Sequence, residues 1–263
     1  MRVDGRVVTR AAKGQILAGH ERVELAADLG RVVPEPAAPL PQLAAGRGWI
    51  GVDKPAGTAV HPHREGETGT LLNAAAAHYP QIQGVGSPWG EGGLRSGVVH
   101  RLDTDTSGAM LLATDDPTWR RLRDAFAHHR IRKTYAALVQ GRPALRGDAE
   151  VWLKVTRHRP ARVQQVPPAT TGARPCTLSW RVVEQNDSIS RLEIDLGTGF
   201  LHQIRATFAA MGHPVQGDRV YGLEPFDTPE SRMALHAQRL QFEDILVEAP
   251  LPPQFLTALK RKN

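Results

Sequence analysis

The segment His100-Arg101-Leu102-Asp103, followed by Thr-Asp-Thr-Ser-Gly at 104–108, places a carboxylate beside an arginine in a short polar stretch. Val98 and Val99 precede it, and an apolar run at 109–112 follows it. Apolar runs on both sides of a polar turn predict a loop between two buried strands. Such a loop would hold Asp103 rigidly and make it a candidate nucleophile. The alternative is that Asp103 only caps the turn with a side-chain oxygen.

Further motifs lie on both sides of this segment in a fixed order. Upstream are Asp53-Lys54-Pro55-Ala56-Gly57 and Gly69-Thr70-Leu71-Leu72-Asn73. Downstream are Lys133-Thr134-Tyr135, His202-Gln203-Ile204-Arg205, Gly212-His213-Pro214, Gly217-Asp218 and Leu235-His236-Ala237. Together they resemble the signature of the pseudouridine synthases of the RluA type, which isomerise uridine within folded RNA. The resemblance covers roughly residues 46–253.

The resemblance implies an α+β fold, with a central mixed or antiparallel β-sheet flanked by helices and crossed by a basic cleft. It also implies three catalytic residues. Asp103 would be the nucleophile or base, Arg205 its cationic partner, and Tyr135 the ring that stacks on the target base. Burial raises the pKa of a carboxyl unless a cation compensates, so Asp103 needs such a partner. The sequence leaves open whether Asp103 attacks the ribose or forms a glycal-like intermediate.

Basic and polar residues around these motifs are predicted to contact RNA. Arg101 is a candidate for the space that the flipped uridine vacates. Asp115 and Pro117 predict the start of a helix whose arginines form a cluster, although a solvated helix face is the alternative. The predicted RNA-binding set is His100, Arg101, Lys54, Arg120, Arg121, Arg123, Arg132, Lys133, His202 and Gln203.

The net charge and the cysteine content of the chain limit which partners and which cellular compartment are expected. The 263 residues carry a formal charge of +6, which favours a polyanion such as RNA, although a merely soluble basic protein would also fit. Cys176 is the only cysteine, so a disulfide framework or thiolate zinc site is excluded and a reducing cytoplasm is expected. We expect no membrane segment, metal, cofactor or DNA partner, and a monomer.

The chain divides into three predicted parts. Residues 46–263 form the catalytic domain, and the Pro- and Ala-rich residues 33–45 form a linker. Residues 1–32 hold two strand-like stretches that are similar to the second half of an alpha-L RNA-binding domain, or form only a hairpin.

One departure and two rival functions accompany this prediction. Gly199-Phe200-Leu201 stands where the family usually has Gly-Arg-Thr, so a basic side chain is missing there. The first rival is a catalytically silent RNA-binding or ribosome-assembly protein. The second is a glycoside hydrolase, which usually needs two carboxylates around the scissile bond. The favoured substrate is structured RNA, with rRNA preferred over tRNA.

Overall fold

The computed structural model describes residues 2–3, 6–7, 23–24, 30–87, 92–158, 160–222 and 232–260. Three short strands near the start are β1 (Arg2–Val3), β2 (Arg6–Val7) and β3 (Val23–Glu24). They form an antiparallel sheet in the order β2-β1-β3. Strands therefore occur in both stretches where the sequence predicts them. Residues 8–22 lie outside the described part, and the alpha-L assignment stays a prediction.

The main sheet contains ten strands. They are β4 (Gln42–Gly46), β5 (Trp49–Lys54), β6 (Ser107–Ala113), β7 (Arg132–Gln140), β8 (Arg146–His158), β9 (Ala161–Gln165), β10 (Arg174–Gln185), β11 (Ile189–Leu196), β12 (Leu235–Phe242) and β13 (Ile245–Glu248). Their order is β4-β5-β6-β12-β7-β11-β10-β8-β9, with β13 paired to β12. The β6–β12 pair is parallel and the other pairs are antiparallel. The prediction of an α+β fold around a mixed sheet is confirmed.

The structure describes four α-helices, and two of them begin at side-chain caps. The four are α1 (Leu71–His78), α2 (Asp116–Ala127), α3 (Gln203–Ala210) and the short α4 (Pro253–Thr257). Thr70 and Asn73 form a reciprocal capping box at the start of α1. The Asp115 carboxylate accepts from the Thr118 N–H at the start of α2. Both helix starts are thus fixed by side-chain acceptors that are visible in the sequence.

Strand β6 follows the predicted catalytic loop, residues 100–106. It anchors this loop to the core because both faces of the strand are buried. Ala109, Leu111 and Ala113 pack in the cluster that contains Trp119 and Leu122 of α2. Met110 and Leu112 point to the other face, in the cluster that contains α1. A third cluster packs Ile204 and Phe208 of α3 against strands β7, β10 and β11. The loop before β6 is therefore attached to a strand that is packed on both faces.

The predicted linker is wrong in its last residues, because β4 starts at Gln42 and pairs with β5 at the sheet edge. Residues ahead of it also pack on the domain. Val32 is buried, and Asn73 Nδ2 donates a 2.7 Å hydrogen bond to the Val33 carbonyl. The Pro-rich stretch thus lies along the domain and contains a turn, in which the Ala38 N–H donates to the Glu35 carbonyl at 3.1 Å.

The strand predicted before the catalytic loop is reduced to one bridge, between Val98 and Leu112. Strand β12 pairs with β6 only at Ser107 and Gly108, and β5 occupies the other edge of β6. The edge of β6 that β12 leaves unpaired after Gly108 is therefore bridged by the segment before the loop only at Val98. The loop is therefore anchored chiefly by β6 and by side chains from elsewhere.

Candidate active site

The catalytic loop is held by hydrogen bonds to the carbonyls of Asp103 and of Thr104, which follows it. The Thr106 N–H donates to the Asp103 carbonyl at 3.1 Å, which closes the turn. The Lys54 ammonium donates to the carbonyls of Pro55, Thr58 and Thr104 at 2.8 to 2.9 Å. The Lys54 side chain is entirely buried. Thr104 directly follows Asp103, so Lys54 fixes the backbone that carries the carboxylate.

Arg205 connects two carboxylates. Its Nη1 donates to Asp103 Oδ2 at 2.8 Å, and its Nε and Nη2 donate to Asp218 Oδ2 and Oδ1 at 2.7 and 2.9 Å. Asp218 has no exposed surface and also accepts from the N–H groups of Val220 and Tyr221. Burial alone would raise the pKa of Asp218, but Arg205 and the backbone donors hold it below its ordinary value. Asp218 therefore orients the guanidinium towards Asp103.

Tyr135 lies on β7 beside this pair. It lines one small pocket together with Asp103, Leu102, Ile204 and Arg205. Burial, with a smaller contribution from the Asp103 charge, raises the pKa of Tyr135 above its ordinary value. The phenol is consequently protonated at neutral pH, and the ring offers a flat apolar wall next to the carboxylate. The structure brings the three predicted catalytic residues together.

His202 lines the same pocket, and Tyr221 contacts His202 and Arg205 from behind. His202 Nε2 is 3.7 Å from Asp103 Oδ2, and His202 Nδ1 is 2.9 Å from Tyr221 Oη. The Val163 N–H donates to that same hydroxyl oxygen at 2.8 Å. The Arg205 guanidinium lies over the Tyr221 ring, 5.3 Å from its centroid. The short pairs Gly217-Asp218 and Tyr221-Gly222 are the only signal in the sequence for the two residues that support Arg205 and His202.

Three residues of the predicted RNA-binding set are buried inside the domain, and their polar groups bond to protein atoms. The Lys54 ammonium is already saturated by its three carbonyls. Lys133 donates to the Thr198 carbonyl at 2.8 Å, and burial lowers its pKa to about 8. Gln203 bonds to Thr198, to the Phe200 N–H and to the Thr177 carbonyl. These residues hold the loops around the pocket.

Two other predicted RNA contacts also have structural roles. His100 Nε2 accepts from the Leu111 N–H, and its ring stacks on Phe126 at 4.4 Å. Burial lowers the pKa of His100 to about 3, so the ring is neutral. Arg123 is half-buried and donates to the Val99 carbonyl at 3.3 Å. Both side chains join α2 to the base of the catalytic loop.

The remaining basic residues of the predicted set are exposed. Arg101 is exposed and lines the catalytic pocket. Arg120 and Arg121 are exposed on α2, and Arg121 forms a 3.3 Å ion pair with Glu243. Arg132 is exposed and pairs with Asp195 at 3.0 Å. These four side chains are accessible to a polyanion.

The departure at Phe200 and Leu201 has a packing explanation. Both side chains pack against a cluster that contains Leu153, Val163 and Ala206. Apolar contacts therefore hold this loop where the resembled family usually places an arginine. Tyr221 packs on the same cluster, which links the loop to the His202 side of the pocket.

The described residues form a mixed-sheet α+β domain that brings an aspartate, an arginine and a tyrosine into one pocket. Within the described residues, no group of three or more His, Cys, Asp or Glu side chains is placed to hold a metal ion. No described helix is long and apolar enough to cross a membrane. The chain belongs to the RNA pseudouridylate synthase family, whose model matches residues 48–210, and within it to the RluA type.

Relatives and solved structures agree with this membership. The chain is 39% identical over 188 residues to an uncharacterized RNA pseudouridine synthase of Chloroflexus aurantiacus, covering 72% of this chain and 56% of that protein. It is 31% identical over 280 residues to ribosomal large subunit pseudouridine synthase D of Haemophilus ducreyi, covering 99% and 82%. The solved human RNA Pseudouridylate Synthase Domain Containing 1 matches with a TM-score of 0.66 at 25% identity, covering 86% of this chain and 89% of that one.

The relatives differ in length from this chain. It spans 56% of the Chloroflexus aurantiacus protein and 63% of a Synechocystis relative that is 36% identical over 215 residues.

Proposed function

We propose that this chain isomerises specific uridines to pseudouridine in structured RNA. The observation that carries the proposal is the 2.8 Å hydrogen bond from Arg205 to Asp103, beside the Tyr135 ring, in a chain of this family. The reaction breaks the glycosidic bond, rotates the uracil and joins its carbon 5 to the ribose. One ionised carboxylate is sufficient for it, acting as nucleophile or as base.

Each residue of the pocket has a role in this chemistry. Arg205 donates to Oδ2 of Asp103 and places a positive charge beside the carboxylate that reacts. Tyr135 offers its ring to the flipped base, which has lost its stacking neighbours. Arg101, exposed two positions before Asp103, is available to fill the space that the base leaves in the RNA. Arg120, Arg121 and Arg132 provide exposed charge for phosphates.

The proposed substrate is rRNA, with tRNA as the second class. Support comes from the relatives in Haemophilus ducreyi and Nitrosomonas europaea, which are named ribosomal large subunit pseudouridine synthase D. The net charge of +6 also fits an RNA partner. We further propose that the chain acts as a monomer in the cytoplasm.

The test is to incubate the protein with in vitro transcribed large-subunit rRNA and, separately, with unmodified tRNA. Pseudouridines are then mapped at single-nucleotide resolution and compared with an Asp103→Asn control. Formation of pseudouridine at a discrete position in the rRNA supports the proposal. Tight RNA binding without isomerisation on either RNA would overturn it and favour the catalytically silent alternative.

A further inference from the structure

The structure points to His202 as the residue that reads the ribose 2′-hydroxyl of the target nucleotide. We propose that His202 Nε2–H donates a hydrogen bond to this hydroxyl and so positions the sugar against Asp103. The inference rests on the proposed function and adds a substrate contact that distinguishes RNA from DNA. It is carried by the hydrogen-bond geometry around the imidazole, by its place in the pocket and by its backbone conformation.

The first step concerns the tautomer of His202. The Tyr221 hydroxyl oxygen already accepts the Val163 N–H at 2.8 Å. A phenol has one proton to donate, and its favourable arrangement here is to accept from Val163 and donate to His202 Nδ1, 2.9 Å away. Nδ1 is then the acceptor of the neutral ring, so Nε2 carries the proton. Tyr221 thereby fixes a donor on the side of the ring that faces Asp103.

The second step concerns the charge on the ring. Burial lowers the pKa of His202, and the Arg205 charge lowers it further, while the charges of Asp103 and Asp218 act in the opposite direction. The net shift is downward, so the ring is neutral at neutral pH. A neutral donor is suited to a hydroxyl, and it does not neutralise the carboxylate that must react.

The third step concerns what Nε2–H can bind. Its nearest carboxylate oxygen, Asp103 Oδ2, is 3.7 Å away, which is too far for a hydrogen bond. Within the part of the chain that the structure describes, Nε2 forms no hydrogen bond. The His202 side chain is only 10% exposed, and it lines the pocket together with Asp103 and Tyr135. The donor therefore points into the site without a protein acceptor.

The ribose supplies that acceptor. In either route, Asp103 acts on carbon 1′ or on the hydrogen at carbon 2′, and the 2′-oxygen is bonded to one of these two neighbouring carbons. A donor beside the reacting carboxylate oxygen is hence within reach of the 2′-hydroxyl. This group is both donor and acceptor, and it is what distinguishes RNA from DNA at one nucleotide.

The backbone of His202 supports a functional role. It has φ 51° and ψ 23°, in the left-handed region, and it precedes α3 without a side-chain cap. A non-glycine residue in this region is strained, and such residues cluster at functional sites. The conformation places the imidazole over the carboxylate pocket while Gln203 starts the helix.

The test uses a synthetic RNA stem-loop with the uridine identified by the mapping experiment, made with either ribose or 2′-deoxyribose at that one nucleotide. Wild-type protein is compared with His202→Asn, because Asn tolerates the left-handed region and keeps an oxygen near the Nδ1 position while lacking Nε2. Dissociation constants and single-turnover rates are measured for all four combinations. We expect wild type to bind the ribose form about 5-fold more tightly, and His202→Asn to bind both forms equally.

The matched control is His213→Asn, since His213 Nδ1 bonds to the Gln140 carbonyl, outside the pocket. It should keep the wild-type preference for ribose.

Tyr221→Phe is the second variant: it removes the hydroxyl that fixes the tautomer and should lower the preference below that of wild type. An unchanged preference in His202→Asn, or in Tyr221→Phe if the first variant does not fold, overturns the inference while the proposed function stands. Absence of isomerisation by wild type would overturn both.

Discussion

Arg205 binds Asp103 through one nitrogen and Asp218 through two. The two-point contact with Asp218 fixes the plane of the guanidinium before substrate enters. Asp103 receives a single hydrogen bond from Arg205. A positive charge therefore lies beside this carboxylate, and its other oxygen stays free of Arg205. The asymmetry separates a carboxylate that builds the site from a carboxylate that can react.

The first prediction concerns Asp103→Asn, which should abolish isomerisation and keep the fold. The amide preserves the shape but is a poor nucleophile and base, while Arg205 stays paired with Asp218. Tritium release from RNA labelled at carbon 5 of uridine measures the reaction. Asp105→Asn is the matched control, because Asp105 is exposed on the same loop and should retain activity. Near-normal release by Asp103→Asn would remove Asp103 from the mechanism.

The second prediction concerns Asp218→Asn, which should slow turnover while RNA affinity is kept. The amide accepts through one oxygen only, so the two-point hold on Arg205 is lost. Hydrogen bonds to charged groups contribute about 1.5–3 kcal/mol, which corresponds to roughly a 10- to 100-fold lower single-turnover rate if expressed in the transition state. We expect the free energy of unfolding to fall by a similar amount.

The control for this variant is Asp195→Asn. Asp195 pairs with the exposed Arg132, and an exposed ion pair contributes about 0–1 kcal/mol. Its rate should stay close to that of wild type. Equal rates for Asp218→Asn and wild type would show that Arg205 needs no support from Asp218.

Short motifs carry the three residues that the structure brings into one pocket, whereas the burial of the surrounding polar residues could not be predicted. A buried lysine such as Lys54 looks like any surface lysine in sequence, since one of its partners, the Thr104 carbonyl, is 50 positions away. Gln203 is bound to the Thr177 carbonyl in the same long-range way. Burial of a polar side chain depends on acceptors that only the fold brings together.

Two helix starts were predictable from local chemistry and the sheet class from the family resemblance, but the β4 strand was not predicted. Thr70 and Asp115 cap their helices with groups that lie within three residues of their partners. β4 follows a Pro-rich stretch and is an edge strand, because it forms backbone hydrogen bonds with β5 on one side only. Proline and alanine content indicates a linker, but it does not reveal that a neighbouring strand offers a free edge.

The third prediction concerns pH, because burial lowers the pKa of Lys54 to about 8 against an ordinary value of 10.5. Between these values the unfolded chain keeps a proton that the folded chain has released, so the free energy of unfolding rises with pH. The stabilisation that this pKa difference gives to the folded chain is fully present above pH 10.5, and it is lost as the pH falls through about 8. Its full size is on the order of 3 kcal/mol.

Denaturant unfolding of wild type and Lys54→Met at several alkaline pH values measures this contribution. Lys133 adds a similar rise, since burial also lowers its pKa to about 8, so Lys133→Met serves as the parallel variant. Each substitution should remove part of the rise. A wild-type stability that is flat or falling across this range, with no difference from Lys54→Met, would contradict the prediction.

The last prediction separates RNA affinity from turnover. Arg120 and Arg121 are exposed on α2, so changing both to Gln should weaken RNA binding and flatten the plot of log affinity against log salt by about two. Arg123 is left intact because it donates to the Val99 carbonyl. Arg205→Lys should do the reverse: it keeps a positive charge but cannot fork between two carboxylates, so turnover should fall while affinity is retained.

Binding titrations at several salt concentrations and single-turnover rates at saturating enzyme separate the two effects. The matched control changes Arg142 and Arg181 to Gln, because both are exposed and ion-paired, Arg142 with Asp187 and Arg181 on β10 with Glu193, and neither belongs to α2. This control removes the same charge and should alter the salt dependence less than the α2 pair does. If the two pairs flatten the plot equally, RNA responds only to net charge and α2 is not a phosphate-binding face. If Arg205→Lys binds RNA weakly but reacts normally once saturated, Arg205 belongs with the phosphate contacts instead of the pocket.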